Sequence, residues 1–469
     1  MLESSLLNSK VLFELGQRGV QVPHYSLDIS CGVVHIGLGA FHRAHQALVF
    51  DALLELGDLR WGVLGVAMKN SDLATAIEEQ NGLYSIEISG EYSSRWRICG
   101  AIRRTCVAAF KPDSVAIAIA SLTTRWITLT VTEKGYSQAL CDLLIPGLLL
   151  RFENGLPGIT LASCDNLANN GSHLRSLCIT AADLISENFG EWIDSSCAFP
   201  CSMVDRIVPA STPERIETAT ARLGFVDKAS LGTESFWEWV IERKFADDAD
   251  TNTLSSVGVR VVDDISIYEE AKLRMLNGSH TAMACMGAIL GIPVIGECIA
   301  HPEIRKFIHE FMTNEASIGL RRPHLLTYRD ELIQRFGNSS LQHKVHQIVT
   351  DSSQKIPQRW PPSILECLDK GLSVDRLVFV AAVWIRYLFS KDESGRPFNI
   401  VDPMSIQLSE ILIKFQDRPR LIVSTIMSIS SIWGLKLSKN QEWIEQVQKA
   451  FLDISENGLV NALKNTNSR

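Results

Sequence analysis

The chain predicts an α/β protein, with an N-terminal Rossmann-type parallel-sheet domain over residues 1–264 and a mostly α-helical domain over residues 265–469. Three observations carry that expectation. Short apolar runs alternate with helical stretches through the first third of the chain. A glycine turn, Gly37-Leu38-Gly39, directly follows the first of those runs. Beyond about residue 265 strand-like runs give way to long helical patterns.

Taken in order, residues 33–36 read as a buried strand, Gly37 and Gly39 supply a tight turn and a close backbone approach, and residues 44–56 continue as a helix. The helix N-terminus would face a pyrophosphate. The third glycine of the dinucleotide fingerprint is missing, since Phe41 and His42 follow Ala40. Residues 61–67 and 126–132 are the next strands, with helices over 114–121 and 137–151. A further strand over 159–164 ends at polar residues, where open α/β sheets bind ligands. In the second half, helices are expected over 272–290, 301–314, 373–390, 405–415 and within 440–463, with an exposed turn at 394–397. No internal repeat interrupts the pattern.

Composition agrees with an enzyme built on packed cores. The 469 residues are 46% hydrophobic and 21% charged, enough to fill two or three domains and cover them. A net charge of −8 argues against nonspecific binding to nucleic acid or to an anionic membrane. An anionic substrate would therefore have to be met by particular Lys and Arg residues. Residues 1–10 carry an early acid and no long apolar core, which argues against a secretory signal or a membrane span and makes a cytoplasmic location the expectation. The eleven cysteines are scattered and odd in number, so reduced thiols are expected, with Cys285 and Cys367 read as small buried hydrophobes. The pairs His42/His45, Cys197/Cys201 and His343/His346 have ligand-like spacing, but none joins a second pair, and no metal is expected.

The chemistry centres on residues 268–280. At 100° per residue, Glu269, Lys272, His280 and Asn277 fall on one helical arc of about 140°. One face then offers a carboxylate, a possible general base, an imidazole and an amide donor. For each residue taken singly, the bland alternative is a solvated charge or a satisfied polar side chain.

Six ordered blocks reach a family: residues 35–46, 130–136, 163–166 with Asn170 and Gly171, 203–209, 272–280 and 353–359. With them the chain resembles the polyol-specific long-chain dehydrogenases, the mannitol dehydrogenase and fructuronate (mannonate) reductase group, along nearly all of its length. The Phe-His-Arg-Ala-His stretch at 41–45 and the Gln-Lys-Ile-Pro-Gln-Arg stretch at 354–359 resemble the hexuronate branch. The resemblance implies that Lys272 is the general acid/base, that Asn166 and Asn277 polarise the carbonyl oxygen, and that His280 orients the substrate or the lysine. To act as a base near neutral pH, a lysine must fall from its free-solution pKa of ~10.4 through desolvation or a neighbouring cation. Glu269 either passes protons to solvent or forms a salt bridge.

Cofactor contacts are expected from Gly37, Gly39, Ala40, Phe41, His42 and Arg43 around the turn. Thr132 and Glu133 at a strand end, and Val204 and Asp205, the latter resembling a family position close to nicotinamide and substrate, complete the set. Asp72, beyond the second strand, favours NAD, because an acid there binds the ribose hydroxyls. Lys355 and Arg359 flank Pro357, read as a turn, and are the cations assigned to a substrate carboxylate or hydroxyls. Residues 388–391, Glu238 and Arg243 depart from the family pattern, which leaves the substrate open. The leading expectation is an NAD-dependent oxidoreductase interconverting D-fructuronate and D-mannonate, acting on a small sugar acid without metal, nucleic acid or membrane. A polyol dehydrogenase acting on mannitol or arabinitol is the alternative within the family, and a non-catalytic sugar or nucleotide sensor the alternative outside it. The sequence sets no oligomeric state.

Overall fold

The computed structural model describes residues 5–90, 93–338 and 343–468. The first four residues of the amino-terminal stretch lie outside the described residues. Two compact units divide the chain, Met1–Ile265 and Ser266–Arg469.

The strands of the first unit are β1 (Cys31–Ile36), β2 (Gly62–Ala67), β3 (Tyr84–Ser89), β4 (Ser94–Cys99), β5 (Ile102–Val107), β6 (Trp126–Leu129), β7 (Thr160–Ser163), β8 (Ser202–Asp205), β9 (Leu231–Glu234), β10 (Glu238–Glu242) and β11 (Arg260–Val262). Five of them form a sheet in the order β5-β2-β1-β6-β7, and every pairing in it is parallel. Strand order reverses between β1 and β6, so the crevice at their carboxyl ends is the topological switch point of a doubly wound sheet. Two three-stranded sheets, β11-β10-β8 and β4-β3-β9, complete the unit.

Alternation along the strands explains why both faces are covered. Val33, Val63, Trp126 and Ala162 enter one apolar cluster, whereas Val34, Leu64, Ile127 and Leu161 enter another on the opposite face. The helices Pro112–Ile119 and Gln138–Glu153 supply Ile119 and Leu144 to the second cluster; Gln46–Glu55 supplies Phe50 and Leu53 to the first.

Local structure departs from the sequence reading at several places in this unit, and the strands of the two smaller sheets, β3, β4 and β8 to β11, were not among those expected. The helix expected over 44–56 is two helices, Ala40–Ala44 and Gln46–Glu55, broken at His45 (φ −125°, ψ −88°). There the imidazole Nε2 of His45 reaches the carbonyl oxygen of Glu238 at 3.0 Å. The strand expected to run to residue 132 stops at Leu129, because Thr132 takes φ 66°, outside the strand region. β5 was not foreseen, since Arg103 and Arg104 hide its alternation; it is an edge strand, where charge is ordinary.

The second unit is helical throughout its named elements. Its central helix, Gly278–Leu290, is buried at every position through Ile289, the mark of a core helix rather than an amphipathic one. The helix Asp375–Tyr387 is similarly enclosed, with Trp384 packed edge-on to Trp433 at 6.0 Å. Two further differences matter for function. Residues 272–277 are a π-helix, Lys272–Asn277, set between the α-helices Ser266–Ala271 and Gly278–Leu290. Lys355 and Arg359 do not lie on a turn: Pro357 sits inside the helix Ser352–Arg359. Among the described residues no single helix is long and apolar enough to cross a membrane; the pair Pro419–Met427 and Ser430–Leu437 reaches the required length and composition only across an 81° bend.

Gly37 has φ +103°, and a Cβ there would stand 2.2 Å from the carbonyl oxygen of Thr130. Both conformation and space demand glycine. Gly37→Ala is therefore expected to cost about 1–3 kcal/mol or more and to lower the thermal midpoint by several degrees, read by calorimetry. An unchanged midpoint would show that the turn relaxes freely.

Candidate active site

In the first unit the crevice between β1 and β6 is drawn together by His35. Its Nδ1 meets Thr128 Oγ1 at 2.8 Å, and its Nε2 meets Thr130 Oγ1 at 2.9 Å and the Gly37 oxygen at 3.1 Å. Burial pushes the His35 imidazole down to about 3, so it ties the strands as a neutral group. His42 stacks on it, ring centroids 3.4 Å apart. Arg43 donates to the Gly39 and Ala229 carbonyls and lies over the ring of Tyr84, so its guanidinium braces the turn from within the protein.

Gly39 differs from Gly37. Its backbone is extended (φ −122°, ψ −177°), and an added Cβ would meet only the Gly37 oxygen, at an ordinary 3.6 Å. The fold itself does not require glycine at 39, which is the condition expected where a dinucleotide backbone approaches closely. Ala40 and Phe41 follow in the short helix, both half-buried. Across the crevice, Thr132 is a β-branched residue at positive φ. The Asp165 carboxylate accepts its N–H at 2.7 Å and also accepts from Tyr136 Oη at 3.1 Å. Such strain persists only where surroundings over-determine it, and it clusters at ligand sites. Glu133 is exposed beside it, Asn166 is exposed just past β7, and Val204 and Asp205 are buried at the end of β8. Asp72 is exposed in the first turn of the helix after β2.

In the second unit the π-helix alters the spacing on which the sequence reading relied. Gly278 N–H donates to the Leu273 oxygen, five residues back. Hydrogen bonding of this i→i+5 kind widens the turn to roughly 4.4 residues, so Lys272 and Asn277 lie about 50° apart around the axis instead of about 140°. Glu269, Lys272, Asn277 and His280 are thereby gathered on a narrower face than α-geometry allows. Lys272, Asn277 and His280 are buried, and Glu269 is half-buried.

Neighbouring side chains hold this arrangement. Arg359 Nη1 donates to the Asn277 carbonyl oxygen at 3.2 Å and also to Thr281 Oγ1; Thr281 Oγ1 itself donates to the Asn277 oxygen at 3.0 Å; and Trp360 Nε1 donates to the Gly278 oxygen at 3.2 Å. Arg359 is buried, and no carboxylate pairs with it among the described residues; burial pushes its guanidinium down to about 10. Lys355 is half-buried, and its Nζ donates to the backbone oxygens of Ile348, at 3.3 Å, and Thr350. Burial, then the Arg359 charge, pushes it down to about 8. Burial, followed by His343, Arg359 and Arg335, holds His280 well below the usual imidazole range. Two polar atoms on this face, Asn277 Nδ2 and His280 Nε2, are buried without a hydrogen-bond partner among the described residues. A buried donor without a partner is costly in an apo fold and useful to a ligand.

Several residues escaped the sequence reading. Asp165 lies inside the recognised block 163–166, and its role as the clamp on Thr132 follows from the approach of β7 to β6. Gln46, buried with both amide atoms unpartnered, closes the recognised block 35–46 without an assigned role, and His343, set edge-on to His280 at 4.9 Å, enters the sequence reading only through its spacing to His346. Among the described residues no group of three or more His, Cys, Asp or Glu side chains gathers to hold a metal.

The family model for the mannitol dehydrogenase Rossmann domain matches residues 31–252, and that for the mannitol dehydrogenase C-terminal domain matches residues 264–455. The chain belongs to the mannitol dehydrogenase family of oxidoreductases. Within that family it is 34% identical to the D-mannonate oxidoreductase of Escherichia coli (strain K12), over 91% of this chain and 93% of that protein. It is 32% identical to a mannitol 2-dehydrogenase of Aspergillus fumigatus, over 97% of this chain and 98% of that protein. Among solved structures, Pseudomonas fluorescens mannitol 2-dehydrogenase in a ternary complex with NAD and D-mannitol superposes with a TM-score of 0.87 at 28% identity, covering 99% of both chains. A substrate-free D-sorbitol dehydrogenase gives 0.88 at 26% identity, covering 98% of this chain and 99% of that chain.

For this member of the mannitol dehydrogenase family, the openness at Gly39 yields a test. Gly39→Ala should leave the thermal midpoint near that of wild type while weakening NADH binding about tenfold or more, since the added methyl occupies space that only a ligand contests. Fluorescence titration with NADH measures it, and an unchanged affinity would remove the turn from the cofactor site.

Proposed function

We propose that the chain is an NAD-dependent oxidoreductase interconverting D-fructuronate and D-mannonate, with Lys272 as general acid/base and no metal. The observation that carries the choice of a sugar acid is the cationic surrounding of Asn277 and His280. Among the described residues Arg359 is buried with no carboxylate partner, and Lys355, half-buried beside it, hydrogen-bonds only backbone oxygens, its charge offset in part by the Asp351 and Asp402 carboxylates. An uncompensated buried cation is relieved by an incoming anion. In a chain of net charge −8, such local positive charge is the feature an anionic substrate needs. The likeness to D-mannonate oxidoreductase supports the same choice.

Gly37, Gly39, Ala40, Phe41, His42, Arg43, Thr132, Glu133, Val204 and Asp205 would hold the cofactor, with Asp72 on the adenosine ribose. NAD, when bound, supplies or accepts the hydride. Asn277, through its unpartnered Nδ2, and Asn166, by family resemblance, polarise the substrate oxygen as charge develops on it. Lys272 delivers or removes the proton, Glu269 relays it to solvent, and His280 orients the substrate. Lys355 takes the carboxylate. Arg359, whose Nη1 is engaged by the Asn277 carbonyl and Thr281, acts first as the group that positions Asn277. A polyol dehydrogenase is the second reading, favoured by the coverage of mannitol 2-dehydrogenase along 97% of the chain.

Kinetics with NADH and a panel of ketoses tests the reading, and wild type should prefer fructuronate to fructose. Lys272→Ala should lower kcat by roughly 10²–10⁴-fold with little change in NADH affinity. Near-normal turnover in that variant would sink the assignment.

A second test uses pH. Lys355 is charged below about pH 8 and neutral above it, so its grip on a carboxylate is lost as pH rises through that value. The ratio of kcat/KM for fructuronate to that for fructose should therefore fall above about pH 8, and taking the ratio cancels ionisations common to both reactions. In Lys355→Met the ratio should be roughly 10–100-fold lower at pH 7 and flat with pH. A wild-type ratio independent of pH would move the carboxylate elsewhere.

A further inference from the structure

Three buried nitrogen atoms in the helical unit lack hydrogen-bond partners among the described residues and lie on neighbouring side chains: Asn277 Nδ2, His280 Nε2 and His343 Nδ1. The first two stand one turn apart at the start of the buried helix Gly278–Leu290. The third comes from a different segment, and its ring meets that of His280 edge-on, centroids 4.9 Å apart at 86°. Phe336 closes another side of His280, also at 4.9 Å.

His343 is held by its backbone. Ile295 N–H donates to its carbonyl oxygen at 3.0 Å, Lys344 bridges Val294, and Val345 N–H donates to the Pro293 oxygen at 3.0 Å. An imidazole fixed in this way, with a buried nitrogen left without a partner, is a preorganised group rather than a surface side chain. Leaving three such atoms unmatched within one cluster is costly, and the other unmatched buried nitrogens of this unit, on His301, Arg376, Trp433 and Trp443, lie on residues outside that cluster.

We propose that His343 is a specificity-determining residue that, beside Asn277 and His280, hydrogen-bonds a hydroxyl of the extended sugar substrate. The inference rests on the assignment of Asn277 and His280 to the substrate site. Chemistry selects a hydroxyl over a charged group. Burial pushes His343 down to about 4, so at neutral pH it presents an uncharged nitrogen, and an uncharged imidazole matches a hydroxyl that can both donate and accept. The charged end of the substrate falls to Lys355.

The test compares His343→Phe, which keeps a ring against His280 but removes the nitrogen, with His343→Asn, which restores a polar atom. In His343→Phe the KM for the preferred ketose should rise about tenfold while kcat and NADH affinity stay within about threefold, and His343→Asn should recover most of the loss. Wild type assayed with a series of deoxy analogues supplies a measurement independent of folding. One analogue should lose about as much as His343→Phe loses on the parent sugar, and the variant should lose nothing further on that analogue. Unchanged KM in His343→Phe, equal losses in kcat and KM in both variants, or additive losses with every deoxy analogue would overturn the proposal. Preference of wild type for fructose would refute the sugar-acid reading alone, and the His343 comparison would then be read on fructose; a wild type that turns over no ketose or polyol would overturn both.

Discussion

The carbonyl oxygen of Asn277 is the point on which the helical unit's site depends. A π-turn is wider than an α-turn and disturbs the regular ladder of backbone hydrogen bonds, so it needs partners from outside the helix. Arg359 supplies one at Asn277 and Trp360 another at Gly278, while Thr281, one turn on in the same helix, adds its hydroxyl to the Asn277 oxygen. The wide turn in turn brings Lys272 closer to the face of Asn277. Fixing one carbonyl thus fixes the register of the proposed acid/base and the proposed oxygen-polarising amide on a largely buried helix.

That arrangement carries a standing cost. A buried guanidinium without a carboxylate keeps an effective penalty of several kcal/mol, only partly offset by two oxygen dipoles. The unpartnered nitrogens of Asn277, His280 and His343 add to it. Natural folds retain such costs where a ligand removes them, so the same atoms that weaken the free protein define what it should bind.

The first unit solves its problem differently. Its crevice is built from satisfied polar groups: neutral His35 ties β1 to β6 through Thr128 and Thr130, and Asp165 holds Thr132 in a conformation a β-branched residue otherwise avoids. Strain of about 1–3 kcal/mol at Thr132 is locked in by that carboxylate. His42 and Gln46, buried behind the glycine turn with unpartnered polar atoms, are the exceptions.

Much of this was legible in the amino-acid sequence. Apolar runs at 33–36, 61–67 and 126–132, the glycine pair at 37 and 39 and the helical texture after 265 are local patterns, and local patterns determine which elements form and, through the parallel-sheet rules, the doubly wound class. The block 272–280 marked the proposed site by residue type, helical spacing and family resemblance. What the sequence could not determine was anything requiring a second segment. Edge strand β5 was hidden by its arginines, and the helix carrying Lys355 and Arg359 was masked by Pro357. The π-turn depends on donors from residues 359 and 360, more than eighty positions away, and the places of Asp165, Gln46 and His343 depend on which strands and loops pack beside them. Periodicity encodes one element's own face; hydrogen-bond partners, burial and the charge left unpaired are properties of contact between elements, and only the tertiary structure decided them.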